Sequence, residues 1–365
     1  MKAETFVSKL SEININNFYG VPDSLMSSLS KHLASNNSRK INHKILHNEG
    51  GAVGVAIGKY VSNAEISAVY MQNSGFGNII NPITSLTNKD VFSIPILYVI
   101  GWRGSPDIKD EPQHKMQGRI TLELLKLLEI NFLVLESDED LDLKLIKNNL
   151  LNKKSFALVV KKSFFDHDPT EFPKNENELL RQDVMQKLYR AYSDNTLFVS
   201  TTGKTSRELY EISKSDNFRK SFFTIGGMGH SSSISLGIAE SNQDKQIVCF
   251  DGDGSLLMHM GAISIIGASP VTNFHYILLN NYSHESVGGQ PTVANKIKFK
   301  EFSYANNFNS YLSIETQSDL TNYIKNIKSY CDKKMFIEID IEMYSDKNLP
   351  RPDLKPSQYI SKFNN

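Results

Sequence analysis

The sequence has few cysteines and no excess of charge of either sign. Of its 365 residues two are cysteines, Cys249 and Cys331, and Cys249 sits inside an apolar stretch. A disulfide framework is therefore not expected, and the composition predicts a reducing, cytoplasmic compartment. The 40 basic residues balance the 40 acidic ones. This balance argues against nucleic acid or an anionic membrane as the main partner.

Long apolar runs are also lacking. The longest, around "FSIPILYVIGW" at 92–102, is shorter than the roughly 20 apolar residues that a membrane-spanning helix needs. The first residues, "MKAETFVSKLSEIN", have no apolar core of the kind found in signal peptides. They predict an amphipathic helix over about 3–14 instead, and no membrane association is expected.

Strand-like and helical segments alternate through both halves of the chain. The pattern predicts strands at 65–72, 94–101, 131–136, 156–162, 196–201, 246–251 and 274–281. It predicts helices at 49–62, 77–88, 119–130, 183–192, 206–212, 229–241 and 255–269. Apolar strands separated by helices of this length are typical of parallel sheets covered on both faces. We therefore predict an α/β fold with two doubly wound parallel-sheet domains of related design.

A polar stretch with two prolines, "SFFDHDPTEFPKNENE" at 163–178, interrupts the alternation. It predicts a linker over 166–179, because it has few large aliphatic residues to bury. The predicted domains are 1–165 and 180–365. The linker is too short to contain a third domain between them.

Two neighbouring strands are predicted to end in residues suited to a hard metal ion. The strand at 246–251 runs into Gly252-Asp253-Gly254, and the next strand ends in Asn280-Asn281. In an open α/β sheet, ligands bind at the carboxyl ends of the strands. Carboxylate and amide oxygens there suit Mg²⁺, which keeps its other positions for phosphate and water. The alternative interpretation of Gly-Asp-Gly alone is an ordinary turn.

Gly-Asp-Gly followed by Asn-Asn after residues 255–279, with a strand, a helix and a strand in order, resembles the diphosphate motif of thiamine-diphosphate enzymes. The resemblance implies the cofactors thiamine diphosphate and Mg²⁺. It implies metal binding by the Asp253 carboxylate, the Asn281 side chain and the Ser283 carbonyl. The residues implied to bind the cofactor in this motif are Gly252, Asp253, Gly254, Ser255 and Asn281.

The family also has a glutamate against the cofactor's aminopyrimidine ring, at the strand-to-helix junction of a separate domain. "LHNEGGAVGVAIG" offers Glu49 at such a junction, and the alternative is a glutamate that stabilises the first turn of a helix. "TIGGMGHSSS" resembles the segment that bends the cofactor. There Met228 would support it from below and the Gly226 carbonyl would accept its amino group. The alternative for Met228 is an ordinary core residue.

Among compact two-domain members, the chain resembles the phosphonopyruvate decarboxylases along nearly its whole length, with the sulfopyruvate decarboxylases next. The segments "YMQNSGFGNIINPITSL", "KDEPQHKMQGRIT" and "NNYSHESVGGQPT" carry this likeness. It implies a carboxy-lyase that converts 3-phosphonopyruvate to phosphonoacetaldehyde and CO₂ in phosphonate biosynthesis. It also implies a homodimer or homotetramer in which Glu49 of one subunit reaches the cofactor of another.

Three alternatives remain for this function. Another 2-oxo acid, sulfopyruvate above all, would use the same cofactor. A catalytically silent subunit with this fold would only bind a partner. A nicotinamide-binding protein is disfavoured, because neither glycine-rich helix has the G-x-G-x-x-G spacing after a strand with a following acid.

Substrate contacts are predicted from charged and small residues after strand ends. An anionic substrate needs cationic groups, and the candidate binding residues are Arg103, Lys109, His114, Asn73, Ser74 and Gly75. Catalytic candidates besides Glu49 are Asp23, Ser24, His114, His284 and Glu285. The alternatives are a solvated loop for the charged residues, a Pro-Asp-Ser turn for Asp23 and Ser24, and a surface loop for His284 and Glu285.

Overall fold

A computed structural model describes residues 1–35, 40–169, 171–218, 220–331, 333–344, 346 and 348–363. The chain forms two compact units. Unit 1 comprises Met1–Phe172 and Val287–Gln290, and unit 2 comprises Pro173–Ser286 and Pro291–Asn365. The division at Phe172–Pro173 falls inside the segment 166–179. In unit 1 Gln290 is fully buried, and its Nε2 donates to Ser30 Oγ at 2.6 Å.

Unit 1 alternates short strands with helices. Its strands are β1 (Asn17–Gly20), β2 (Asn42–Ile45), β3 (Ser67–Gln72), β4 (Leu97–Gly101), β5 (Asn131–Leu135) and β6 (Phe156–Val160). Its helices are α1 (Ala3–Glu12), α2 (Ser27–Ser35), α3 (Glu49–Asn63), α4 (Phe76–Pro82), α5 (Pro112–Leu127) and α6 (Leu143–Leu151). A 3₁₀ turn, Ser24–Met26, precedes α2, and a π-helical turn, Ile83–Thr87, extends α4.

Unit 2 repeats this design. Its strands are β7 (Thr196–Ser200), β8 (Ser221–Phe223), β9 (Gln246–Gly252), β10 (Phe274–Asn280), β11 (Ser310–Ile314) and β12 (Met335–Asp340). Its helices are α7 (Arg181–Ala191), α8 (Lys204–Ser213), α9 (Ser231–Ser241), α10 (Asp253–Met258), α11 (Gly261–Ala268), α12 (Phe299–Ala305), α13 (Gln317–Lys325) and α14 (Pro356–Phe363).

The two sheets have the same strand order. Unit 1 runs β2-β1-β3-β4-β6-β5, and unit 2 runs β8-β7-β9-β10-β12-β11. Counted within each unit, both read 2-1-3-4-6-5, and the pairings between these strands are all parallel. The predicted α/β fold with two parallel-sheet domains of related design is confirmed.

Alternating residues of the central strands pack into different cores, which explains their continuous apolar sequences. In β3, Ala68 and Tyr70 face one apolar cluster of unit 1, and Val69 and Met71 face another. In unit 2, β10 divides its residues between two clusters in the same way. A strand buried on both faces needs apolar side chains at every position. Its polar residues are therefore left for its ends, where the candidate sites lie.

Two predicted helices have different bounds in the structure. The helix predicted at 119–130 begins at Pro112, so His114 lies on α5 and not in a loop. Proline suits this first helical turn, because its missing N–H would have no partner there. The single helix predicted at 255–269 is wrong. It is two helices, α10 and α11, separated at His259, whose backbone is not helical (φ −135°, ψ 49°).

No helix in the described part of the chain is both long and apolar enough to cross a bilayer.

Two glycines on α11 should respond oppositely to the same substitution. A β-carbon at Gly267 would lie 1.6 Å from the backbone oxygen of Asn306, whereas one at Gly261 would meet no atom within 4 Å. We expect Gly267→Ala to lower the free energy of unfolding by about 1–3 kcal/mol, as overpacking does. Gly261→Ala should leave it unchanged or raise it by up to ~1 kcal/mol. Urea unfolding followed by circular dichroism measures both, and equal midpoints would contradict the packing described.

Candidate functional site

The first candidate cluster lies at the carboxyl edge of the unit 2 sheet. Strands β9 and β10 pair in parallel with Leu279 opposite Gly252, so they end side by side. Asp253 is the first residue of α10, and Asn281 directly follows β10. The strand register therefore brings the predicted carboxylate and amide to neighbouring positions at one edge.

Asp253 is a buried acid whose side-chain partner, among the described residues, is neutral. Its carboxylate accepts a hydrogen bond from Thr292 Oγ1 at 2.5 Å, and it is 3% exposed. Within the described residues it forms no ion pair with a lysine, arginine or histidine. Burial raises the pKa of Asp253 to about 7. A buried carboxylate with no cationic partner suits a cation, so the residue fits the Mg²⁺ role.

The loop after β10 presents further oxygen atoms beside Asp253. Asn281 Oδ1 accepts from the Ser283 backbone N–H at 3.1 Å. The Ser283 hydroxyl is buried and has no hydrogen-bond partner. Thr292, which holds Asp253, returns to this loop, since its N–H donates to the Tyr282 carbonyl at 2.9 Å. Among the described residues no three His, Cys, Asp or Glu side chains form a metal-binding group, and the predicted ligand set contains a single carboxylate.

The glycine-rich segment before α9 is fixed to this edge. Ser255 Oγ accepts from Thr201 Oγ1 at 2.9 Å and from the Gly229 N–H at 3.1 Å. Gly227 and Gly229 have φ values of +68° and +88°, which favour glycine. Gly226 lies in the same partly buried turn.

Gly254 shows that Met228 and His284 come together. A β-carbon at Gly254 would lie 3.2 Å from His284 Nδ1 and 3.3 Å from Met228 Cε. A β-carbon at Gly252 would meet nothing within 4 Å, so the backbone there is open to a ligand. Burial lowers the pKa of His284 to about 4. The structure thus brings Met228 and His284 together at Gly254, and the roles predicted for these residues and for Gly252 stay predictions.

Glu285 forms ion pairs with two basic side chains. Its carboxylate accepts from Arg181 Nη1 and Lys204 Nζ, each at 3.0 Å, and from Asn281 Nδ2 at 3.2 Å. Glu208 neutralises the other side of Arg181 through two hydrogen bonds of 2.7 and 2.9 Å. The predicted acid–base role of Glu285 is not tested by this arrangement.

In unit 1, Glu49 is buried at the first turn of α3. Asn48 caps the helix by accepting from the Gly51 N–H at 2.8 Å, so Glu49 is not the capping residue. Glu49 is 4% exposed, and its Oε2 accepts from Asn78 Nδ2 at 2.7 Å. A β-carbon at Gly75 would lie 2.3 Å from Glu49 Oε1. Gly75 is therefore needed for the close approach of this carboxylate.

Asp23, Ser24 and Arg103 form a second cluster in unit 1, after β1 and β4. Arg103 Nη1 donates to Ser24 Oγ at 3.0 Å. Its Nε and Nη2 form a two-point ion pair with Asp110 at 2.7 and 2.6 Å. Burial raises the pKa of Asp23 to about 6, although the nearby Arg103 lowers it. One oxygen of Asp23, Oδ1, is buried without a hydrogen-bond partner.

Of the other predicted substrate residues, two lie near Arg103 and two do not. The amide of Asn73 bonds to the protein itself, since Nδ2 donates to the Arg103 carbonyl at 2.8 Å and to Thr121 Oγ1 at 3.0 Å. His114 lies on α5 near Arg103 with its Nδ1 buried and without a partner, and burial lowers its pKa. Lys109 and Ser74 are exposed, and no described contact brings them to the cluster.

Three polar residues that support these clusters escaped the sequence analysis. They are Asn78, which binds Glu49, Asp110, which holds Arg103, and Thr292, which binds Asp253. All three lie within or beside segments that carried the family resemblance, "GFGNII", "KDEPQH" and "GGQPT". Their positions in those segments were the available signal, but which side chain each one meets depends on tertiary contacts.

Two protein-family models match this chain, one in each half. The model "Thiamine pyrophosphate enzyme, N-terminal TPP binding domain" matches residues 2–125, and the corresponding C-terminal TPP binding domain matches residues 201–339. The chain belongs to the thiamine pyrophosphate enzyme family. Thiamine pyrophosphate is another name for thiamine diphosphate, so the predicted family and cofactor are confirmed. The first region holds Glu49 and Arg103, and the second holds Asp253 and Asn281.

Curated relatives narrow the comparison within the family. The chain is 27% identical to phosphonopyruvate decarboxylase of Streptomyces hygroscopicus, over 100% of this chain and 93% of the relative. It is also 27% identical to phosphonopyruvate decarboxylase of Streptomyces viridochromogenes, over 99% and 94%. Sulfopyruvate decarboxylase subunit beta of Methanothermobacter thermautotrophicus is 36% identical, over 36% of this chain and 68% of the relative. The predicted resemblance to phosphonopyruvate decarboxylases is confirmed.

Asp23 should make the stability of the protein depend on pH. Because its pKa is about 6 when folded and near 3.8 when unfolded, the folded protein keeps a proton that the unfolded chain releases in this window. Stability then falls as pH rises from about 4 to about 6. We expect Asp23→Asn to gain up to about 3 kcal/mol relative to wild type across this window, from ~1.4 kcal/mol per pKa unit.

Urea unfolding at each pH, followed by fluorescence, measures this difference. The single tryptophan of the chain, Trp102, is buried in unit 1 and reports on the unit that contains Asp23. The control is Asp90→Asn, which changes an exposed carboxylate of the same unit. A difference between Asp23→Asn and wild type that stays constant with pH would show that Asp23 titrates normally.

Proposed function

We propose that this chain is a thiamine-diphosphate- and Mg²⁺-dependent decarboxylase of a 2-oxo acid, with 3-phosphonopyruvate as substrate and phosphonoacetaldehyde and CO₂ as products. The observation that carries the proposal is the similarity to two phosphonopyruvate decarboxylases along essentially the whole chain. Support comes from the buried carboxylates Glu49 and Asp253, which have the surroundings that the cofactor's two ends require. The enzyme would act in phosphonate biosynthesis, and a cytoplasmic location stays a prediction.

Unit 2 residues would hold the diphosphate and the metal. Asp253, Asn281 and the Ser283 carbonyl supply hard oxygen ligands of the kind Mg²⁺ prefers. Gly252 leaves its backbone open to the phosphates, and Met228 beside Gly254 would support the cofactor's bend. When bound, thiamine diphosphate supplies a nucleophilic carbon and an electron sink for decarboxylation.

Glu49 would hold a proton against the aminopyrimidine ring. Its burial excludes water, and Asn78 and Gly75 fix its direction. A carboxyl group that must exchange a proton with one ring nitrogen benefits from such fixed geometry.

The cluster around Arg103 would receive the anionic substrate. Asp110 accepts hydrogen bonds from Nε and Nη2 of Arg103. The third nitrogen, Nη1, donates to Ser24 Oγ and would be the one to bind an anion. The unpartnered Asp23 Oδ1 and His114 Nδ1 supply further polar contacts. Because Asp110 compensates most of the arginine charge, a substrate with both carboxylate and phosphonate would need additional cations, for which Lys109 remains a candidate.

A second copy of the chain would complete the site. Helix α3 begins with Glu49 and exposes Gly54 and Gly58, where β-carbons would meet nothing within 4 Å. These glycines, four residues apart, lie on one face of the helix and permit close approach of another backbone. We propose a homodimer or a homotetramer with Glu49 supplied across the interface.

Sulfopyruvate is the competing substrate, because sulfopyruvate decarboxylase subunits are the more identical relatives over part of the chain. Purified protein with Mg²⁺ and thiamine diphosphate should release CO₂ from phosphonopyruvate, and phosphonoacetaldehyde should be detected by a coupled reductase. The ratio of kcat/KM for phosphonopyruvate, sulfopyruvate and pyruvate decides the substrate. Faster turnover of sulfopyruvate would replace the assignment, and no turnover of any of the three would reject decarboxylation of these acids.

Glu49→Gln should abolish turnover without abolishing cofactor binding. The amide keeps the size of the side chain but cannot exchange a proton, so we expect kcat to fall by about 10²-fold or more. Calorimetric titration with thiamine diphosphate in the presence of Mg²⁺ should still show binding. The control is Glu123→Gln on the exposed face of α5, with wild-type kcat. Full activity of Glu49→Gln would exclude the proposed role.

A further inference from the structure

A buried charge network leads directly to Asn281, the proposed amide ligand of the metal. Arg181 and Glu208 form its centre, with side chains 6% and 3% exposed. Glu285 joins Arg181 to Lys204, the first residue of α8. Glu285 Oε2 also accepts a hydrogen bond from the amide nitrogen of Asn281.

The contacts of Asn281 define which way its amide points. Nδ2 donates to Glu285 Oε2, and Oδ1 accepts from the Ser283 N–H. Rotating the amide by 180° would set its NH₂ group against the N–H donor and its oxygen against a carboxylate. Neither contact would then be a hydrogen bond. Glu285 thus keeps the amide oxygen on the side of Ser283, and an amide oxygen with one N–H contact retains a lone pair for a metal.

The contacts of Glu285 fix its carboxylate in place. Its oxygens accept hydrogen bonds from Arg181, Lys204 and Asn281, and hydrogen bonds from charged donors are short and directional. The arrangement is that of a support for a neighbouring ligand, and metal ligands commonly depend on such partners for their orientation.

We propose that Glu285 is a positioning residue, held by Arg181 and Lys204, that orients Asn281 for Mg²⁺. This inference rests on the proposed function, since it takes Asn281 as a metal ligand. The positioning role differs from the acid–base role that the sequence predicted for Glu285, and the experiment below distinguishes the two.

Glu285→Gln separates the two roles. If Glu285 positions Asn281, the Mg²⁺ concentration that half-saturates thiamine diphosphate binding should rise by about 10-fold or more. Saturating Mg²⁺ should then restore kcat to within about twofold of wild type. If Glu285 transfers protons, kcat should fall by about 10²-fold or more even at saturating Mg²⁺, which would overturn the proposal.

Calorimetric titration of thiamine diphosphate at a series of Mg²⁺ concentrations gives a readout that does not depend on turnover. Glu285→Asp is the second variant, because it keeps the charge but shortens the reach to Asn281. We expect it to remain impaired in Mg²⁺ dependence. Full recovery with Asp would mean that charge alone matters and would contradict positioning. The control is Glu211→Gln, which removes a carboxylate on α8 that pairs with Lys214.

Lys204→Met tests the same network if the Glu285 variants fail to fold. Its side chain is 31% exposed, so its loss should be tolerated, and it removes one of the cations that hold Glu285. We expect a smaller rise in the Mg²⁺ requirement, about threefold, and an unchanged Mg²⁺ requirement in a folded variant would count against the network. Failure of the wild-type protein to bind thiamine diphosphate with Mg²⁺ would instead reject the proposed function itself.

Discussion

Parallel pairing of neighbouring strands is the constraint on which both candidate clusters depend. Because parallel strands all end at the same edge, residues far apart in sequence meet there without further contacts. The pairing of Leu279 with Gly252 brings Asp253 and Asn281 to adjacent strand ends, and that of Gln72 with Gly101 does the same for Asn73 and Arg103. The strand order creates the position, and local contacts then orient each side chain.

Both units also bury carboxylates at their candidate sites. Asp23, Glu49 and Asp253 are each less than 5% exposed, and burying a charged carboxylate costs several kcal/mol unless it is compensated. Glu49 and Asp253 each accept a hydrogen bond from a neutral side chain, whereas Asp23 accepts one from the Leu25 N–H and has Arg103 nearby. Such incomplete compensation is typical of groups whose partner is a ligand, and it differs from Glu208, which forms a two-point ion pair with Arg181.

Much of the fold could be predicted from the sequence, because buried parallel strands are continuously apolar and the intervening helices are not. The positions of Asp253 and Asn281 after strand ends, and of Glu49 at a strand-to-helix junction, followed from the same pattern. The start of α5 could not be placed, since "KDEPQHKMQ" has no apolar periodicity and only the proline marks it. The break at His259 was hidden because apolar residues continue on both sides of it. The roles of Asn78 and Arg181 depend on partners distant in sequence, and that of Asp110 depends on the geometry of a loop. Such contacts leave no periodic pattern in the sequence.

Gln290 gives unit 1 an unusual order of assembly. Unit 1 is built from residues up to Phe172, yet it also includes Val287–Gln290, with Gln290 fully buried against Ser30. During synthesis on the ribosome the hydrogen bond from Gln290 to Ser30 cannot form until the chain from Pro173 to Gln290 has been made. The sheet of unit 1 can therefore form early. Its contact with Gln290 forms only after most of the second half of the chain has been translated.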